Sequence, residues 1–454
     1  MPYPGEYAQY RSIRKIVTDQ RVHDTLASMG MEIERRSELT PAELPESIEI
    51  TPSTRLPKWV VAIDGGQQEV PIQNGFPSAE VSYLTVSSVM LNVEKLNELD
   101  RNRPIDPRQF RQLQQADTGA SVFPGCNVVL KGHLSAEASL RYQLLNTLRE
   151  QRMADDGESL LATYEALLKY KNTARQNCPY LDCPKTPPGY MEGTGEYKCD
   201  CRYGRSLYST DALRIHEGMN PEGSNGAAFA EIRQVLERLW LVNVLRTIEQ
   251  KGWLSSLKRL AFVLDGPLAV FGHPAWLNDA IQRELQRINT VARQQNGEDL
   301  FLLGIEKTGT FPTHLLNLDI HPNGSPGRIR PGACMLITDL YIKRNIVFNE
   351  NPRPYGYQTY FGRKFFYKTR SGALIVGVTP FLDESHCNLD RAVPEQHPRL
   401  PDVLSLLDHL VSSRFPNAVI PLIEAHAEAA IPLNLGRRIL EQLARELVDD
   451  GTYS

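Results

Sequence analysis

Two apolar runs in this chain end on the same dipeptide. Trp59 to Ile63 runs into Asp64-Gly65-Gly66, and Leu260 to Leu264 runs into Asp265-Gly266-Pro267. A short, almost wholly apolar run closed by a turn signal predicts a buried strand. The second run is followed by a helical pattern at 274–296 and a further strand at 300–305, the order of a parallel βαβ unit. VSYLTVSSVMLNV at 81–93 is β-branched and alternating, so it predicts a long strand pairing with 59–63 in antiparallel fashion. A mixed α/β sheet flanked by helices is the expected fold.

Other elements follow from periodicity. Helices are expected over 7–30, 134–153, 157–173 and 225–251, and three more near 401–414, 419–430 and 434–449. Residues 40–57 are rich in Pro and Glu and predict a connector. Strands are expected at 333–348, 355–369 and 373–381. The segment 174–210 is Pro- and Gly-rich, with little capacity for a core.

Composition narrows the function classes. The chain has 454 residues, with 50 Lys+Arg against 54 Asp+Glu and a net charge of −4. That small charge, with 41% hydrophobic residues, excludes a mainly disordered chain. It also speaks against a protein that holds nucleic acid by bulk basicity. No apolar run is long enough to span a membrane, and the polar N-terminus lacks a signal-peptide core. A cytoplasmic protein with no membrane association is expected.

The Asp-Gly pairs are the chemically informative feature. An Asp at the end of a buried strand is held by rigid backbone, and the Gly after it lets the chain turn away and leaves room for a ligand. Two such carboxylates on adjacent strands can share Mg²⁺ or Mn²⁺, hard ions that favour oxygen ligands. Metal-dependent nucleases use such ions for water activation and leaving-group stabilisation. The plain alternative is a turn dipeptide used twice. Glu237 lies in the apolar helix VLERLWLV and needs a partner if buried, or else faces solvent. Lys307, after the 300–305 strand, is either a phosphate contact or a solvated loop lysine. His426 sits about 200° around a helix from Glu424 and Glu428, so those three cannot converge on one ion. The pattern favours a core histidine there over a phosphate- or water-contacting one.

Four of the seven cysteines crowd together: Cys178, Cys183, Cys199 and Cys201. The C-x4-C-x15-C-x-C spacing is irregular for zinc, yet four thiolates can enclose one structural Zn²⁺ and supply folding energy that this segment cannot draw from a core. Two disulfides or free thiols are the alternative. Along 355–370, Arg363, Lys364, Lys368 and Arg370 interleave with aromatics. This pattern suits nucleic-acid binding. It equally suits an amphipathic strand pair whose aromatics are core.

AIDGG at 62–66, VLDGPL at 263–268, GIEKTG at 304–309 and AHAEAAIP at 425–432 occur in the order seen in NurA nucleases. VLERLWLV around Glu237 resembles that family's glutamate-bearing helix. TDALRIHE at 210–217 and YFGRKFFYKT at 360–369 resemble a bacterial, cysteine-bearing branch. The resemblance implies an RNase H-like fold and a homodimeric, Mn²⁺- or Mg²⁺-dependent DNA nuclease. It implies work with HerA, a hexameric translocase, in DNA end processing or antiphage defence. By motif, Asp64, Asp265 and Glu237 become metal ligands, and Lys307 and His426 line the phosphate or metal. Two departures leave substrate preference open. Gly66-Gln67 stands where many members have Ser after the first Asp-Gly, and shorter relatives lack the cysteine insertion.

The implied organisation is an N-terminal segment at 1–55, a first core part at 56–173, the cysteine insertion at 174–217 and a second core part at 218–454. A catalytically inactive NurA-like adaptor that binds DNA and the translocase is the competing function. An Argonaute-type nuclease is a weaker rival, because the chain is short and shows no guide-binding domains.

Overall fold

The computed structural model describes residues 11–28, 45–98, 114–171, 183, 195–199, 204–412, 417–431 and 440, apart from 52, 73–75, 77 and 155. The expected helix near 434–449 lies almost wholly outside them. The chain divides into two compact units, Met1–Leu44 and Pro45–Ser454. The first holds two short helices, Arg11–Thr18 and Gln20–Ser28, within the span read as one helix. The second holds everything below.

Its frame is a nine-stranded mixed sheet. The strands are β1 (Ser47–Ile48), β2 (Trp59–Pro71), β3 (Glu80–Asn92), β4 (Gln114–Pro124), β7 (Leu260–Asp265), β8 (Leu302–Glu306), β9 (Cys334–Leu336), β10 (Gly362–Lys368) and β11 (Leu374–Pro380). A separate hairpin pairs β5 (Glu196–Lys198) with β6 (Ser206–Tyr208). The sheet order is β1-β9-β10-β11-β8-β7-β2-β3-β4. Strands β2, β3 and β4 form an antiparallel meander, while β7 runs parallel to β2 and β8 parallel to β7. Three antiparallel strands, a crossing helix and two parallel strands make the RNase H-like mixed sheet flanked by helices. Strands β11, β10, β9 and β1 extend it on the β8 side.

Both faces of the central strands are buried, and alternation assigns each side chain to one face. Val61, Ile63, Phe262 and Leu264 join a core with the helices Ala136–Glu150, Leu160–Leu168, Gly226–Gln250 and Leu277–Asn296. Val60, Ala62, Ala261 and Val263 join the opposite core, with helices Leu400–Leu410 and Ile420–Ala429. The same alternation sends Asp64 and Asp265 toward the second face.

Three expectations change. First, β2 does not end at Asp64-Gly65; it continues through both glycines to Pro71, because β3 pairs with it over its whole length. Only β7 ends at its Asp. Second, 333–348 is not one strand. Thr338 accepts a hydrogen bond from Tyr341 N at 3.1 Å and caps a helix, Asp339–Asn345, that stops the strand at Leu336. Third, the polar strand β4 carried no apolar periodicity to announce it. Within 206–217, Leu207 packs against Cys199, whereas Tyr208, Leu213 and Ile215 join the main core. A buried ion pair, Arg141 to Asp211 at 2.7 Å, ties that stretch to the helix Ala136–Glu150.

Candidate active site

The register of β2 on β7 builds the site. Ile63 pairs with Leu264 in parallel, so the next step along both strands sets Asp64 beside Asp265. After Asp265 the chain turns at Gly266, whose φ of 87° suits glycine. Asp64 stays inside the sheet, with Gly65 N donating to its Oδ1 at 2.8 Å.

The two glycines after Asp64 admit a helix from each side. A Cβ on Gly65 would lie 2.4 Å from Glu237 Oε1, and one on Gly66 would lie 2.2 Å from the carbonyl oxygen of Ala429. Neither position tolerates a side chain without moving a neighbour. The long helix Gly226–Gln250 thereby brings Glu237 against β2 on one face. The helix Ile420–Ala429 brings His426 to Asp64 on the other, with Nδ1 2.8 Å from Asp64 Oδ2. Ligand atoms of Asp64, Asp265 and His426 all lie within 4.8 Å of one another. Among the described residues this is the group suited to a metal ion.

The electrostatics of the group suit a cation. Burial, then the charges of Asp265 and Glu237, push the Asp64 carboxyl up to about 6, while His426 and Lys307 act in the opposite sense. Lys307 Nζ lies 2.8 Å from Asp265 Oδ2 at the mouth of a cleft of about 560 Å³, where Phe311, Tyr355, Tyr360 and His426 also line the wall. Two carboxylate oxygens and one imidazole, crowded and short of positive charge, suit a divalent ion.

A family model matches most of the chain. The NurA domain matches residues 58–431. The chain belongs to the NurA family of nucleases. Among solved structures, the NurA nuclease from Sulfolobus solfataricus is similar at 10% identity over 98% of each chain, with a TM-score of 0.34. Another NurA structure is similar at 12% identity over 96% of this chain and 97% of that one, with a TM-score of 0.23. No curated protein matches. The assignment rests on the family match.

The structure sorts the residues singled out by sequence. Asp64, Asp265, Lys307 and His426 converge. His426 is an exposed side chain beside Asp64, where helical pattern alone favoured the core. Glu237 is buried next to Gly65, and each of its oxygens is held by an arginine, Arg233 at 2.5 Å and Arg238 at 2.8 Å. Arg233 is the i−4 neighbour on the helix, a pairing legible in sequence but not weighed.

The nucleic-acid surface expected along β10 is corrected. Lys364 is bonded to Glu306, Lys368 lies 2.8 Å from Asp319, and Arg363 donates to the backbone carbonyls of His386, Asn388 and Arg391. All three are buried, as are Phe361, Phe365, Phe366 and Tyr367. Both faces of this strand are covered, so both alternating sets of side chains go inside. Arg370, past the strand end, keeps 66% of its side chain exposed. Of the four clustered cysteines, Cys183 and Cys199 are described, and their sulfurs lie 3.7 Å apart with no disulfide between them. Cys178 and Cys201 lie outside the described residues. No helix among the described residues is long and apolar enough to cross a membrane.

Proposed function

We propose that this chain is a divalent-metal-dependent deoxyribonuclease that hydrolyses phosphodiester bonds at the Asp64–Asp265 site. The observation that carries the reading is the convergence of Asp64, Asp265 and His426 within 4.8 Å, in a member of a nuclease family. Asp64 and Asp265 would hold one or two Mn²⁺ or Mg²⁺ ions, with Glu237 as a third carboxylate ligand. Bound there, the ion supplies Lewis acidity toward the phosphoryl oxygens.

The chain's own groups do the rest. Lys307, 2.8 Å from Asp265 Oδ2 in the cleft lining, would offer its charge to the scissile phosphate. His426 keeps its orientation through Nδ1 on Asp64, which leaves Nε2 toward the cleft to carry a proton. The retained ligand set weighs against the inactive-adaptor reading. Asp265→Ala, assayed on single- and double-stranded DNA with Mn²⁺, is expected to cut nothing while melting like the native protein. Full cleavage by that variant would overturn the assignment.

Family membership supports a homodimer, a HerA-like hexameric ATPase as partner and a cytoplasmic role in DNA end processing or antiphage defence. Co-elution with the hexamer, and a partner-dependent rise in cleavage, is the expected result. Independent migration with unchanged activity would remove the partner.

The cysteine segment is proposed to hold a structural Zn²⁺ through Cys178, Cys183, Cys199 and Cys201. The 3.7 Å sulfur separation supports this. Two thiolates at 2.3 Å from a tetrahedral zinc stand about 3.8 Å apart. One zinc per chain, and four thiols that become reactive only on chelation, is the expected analysis. Zinc-free protein with four titratable thiols would refute it.

A further inference from the structure

Behind the catalytic cleft lies a second cavity of about 650 Å³ that no step above uses. The two share a wall: Tyr355 and Tyr360 line both. Phe311 packs at a tilt against Tyr355 and Phe271 edge-on against Tyr360, with ring centroids 5.7 Å and 5.6 Å apart, so the wall is aromatic. On the far side the cavity is lined by Trp276, Tyr357, Gln282 and Arg363.

The charge inside it is unbalanced. Asp339 is paired with Lys343 at 2.7 Å, and Lys364 with Glu306. Asp279, at the edge, is paired with Arg283. Arg363 is the exception. It is only 2% exposed, and no carboxylate pairs with it among the described residues; its Nη1 and Nη2 donate to the backbone carbonyls of His386, Asn388 and Arg391, and its Nε alone has no hydrogen-bond partner. A buried guanidinium without a counter-charge is costly unless an anion comes to it. Guanidinium groups also match phosphate oxygens in geometry.

We infer that this cavity receives one unstacked nucleotide of the DNA strand bound in the catalytic cleft. The base lies against the aromatic lining that Tyr357 and Trp276 provide, and the phosphate lies toward Arg363. The volume falls in the range of small-molecule sites, about 300–1,000 Å³. A mononucleotide combines the two chemistries present, a flat apolar ring and a diffuse anion. The shared lining of Tyr355 and Tyr360 sets the cavity beside the cleft, which favours a residue of the substrate strand over a free nucleotide. The inference rests on the nuclease reading, and it makes the enzyme one that grips a frayed or unpaired strand.

The test is equilibrium binding of the full chain in EDTA, where no strand is cut. The probe is a fluorescent duplex with a non-complementary fork, carrying a single abasic residue moved stepwise from the end. One position is expected to weaken binding roughly tenfold, the rest little. Tyr357→Ala is expected to weaken the intact fork by a similar factor and to erase the penalty at that position, so that the two losses do not add. Tyr357 is 63% exposed, so this variant keeps the fold. A second readout, 2-aminopurine at the same position, should change in fluorescence on binding to the native protein alone. A flat abasic profile, or a penalty that survives in Tyr357→Ala, overturns the inference. Displacement of the fork by dAMP at equal concentration would assign the cavity to free nucleotides instead. Cleavage of the same intact fork with Mn²⁺ tests the nuclease reading separately.

Discussion

At Asp64-Gly65 the backbone stays extended and the strand runs on to Pro71, whereas at Asp265-Gly266 it turns at a φ of 87° and leaves the sheet. The same dipeptide serves close packing in one place and chain reversal in the other. Around Gly65 and Gly66, helices press in from both faces to within 2.4 Å and 2.2 Å of where a Cβ would stand. Around Gly266 the nearest heavy atom to such a Cβ is Arg238 Nη2, at 3.8 Å. The difference shows that glycine is required at the first pair by its neighbours and at the second by its own dihedral angle.

Chemistry should erase that distinction. Asp64→Ala and Asp265→Ala are each expected to lower the cleavage rate by about a thousandfold or more, the scale of removing a central electrostatic contributor. A variant that retains more than a tenth of native activity would show that the two carboxylates are not equivalent.

Packing should restore it. Gly66→Ala is expected to cost about 1–3 kcal/mol in thermal unfolding, because the added methyl meets a backbone carbonyl that cannot step aside. It should also lower activity, since Ala429 sits three residues from His426 on the same helix. Gly266→Ala is expected to cost about 1 kcal/mol, from the left-handed backbone alone. Equal costs would break the comparison.

Asp64 should also give the protein a pH response, because the fold pushes its carboxyl upward. Its acid form is favoured by the fold, so its stabilising contribution is complete below about pH 4. That contribution is lost as pH rises through the folded value of about 6. Without metal at pH 7, Asp64→Asn should therefore be more stable than the native protein, by about 2–3 kcal/mol, with the gap closing at pH 4. Mn²⁺ should raise the melting temperature of the native protein more than that of the variant. A pH-independent gap would mean that the fold does not strain this carboxylate. The smallest effect is expected from Lys307→Gln, roughly a tenfold loss of rate with unchanged stability, because its partner Asp265 remains bound to the ion.

Much of the site was legible before any coordinates. The apolar runs, the paired Asp-Gly and the apolar helix around Glu237 are local patterns; the strands and the helix form where expected, while the chain turns only at the second Asp-Gly. The partners of Glu237 were not seen, although Arg233 stands one helical turn away. For His426, helical pattern pointed to the core while the motif pointed to the site, for a plain reason. Helical periodicity places a residue on a face of its own helix and says nothing about what that face meets. The charges of β10 were misjudged similarly, since alternation cannot tell a strand with one wet face from a strand covered on both.

The sequence by itself determined the local elements, the family and which residues carry acid, base or thiol. Short-range patterning decides these, because backbone preference and alternating hydrophobicity act between near neighbours along the chain. Tertiary structure alone decided that Asp64 and His426, 362 residues apart, meet at 2.8 Å. That meeting depends on the parallel register of β2 on β7 and on two glycines that let helices close on the strand from opposite faces. It also decided that Arg363 lies buried without a counter-ion. Burial and charge balance are properties of packed layers, and no window of sequence contains them.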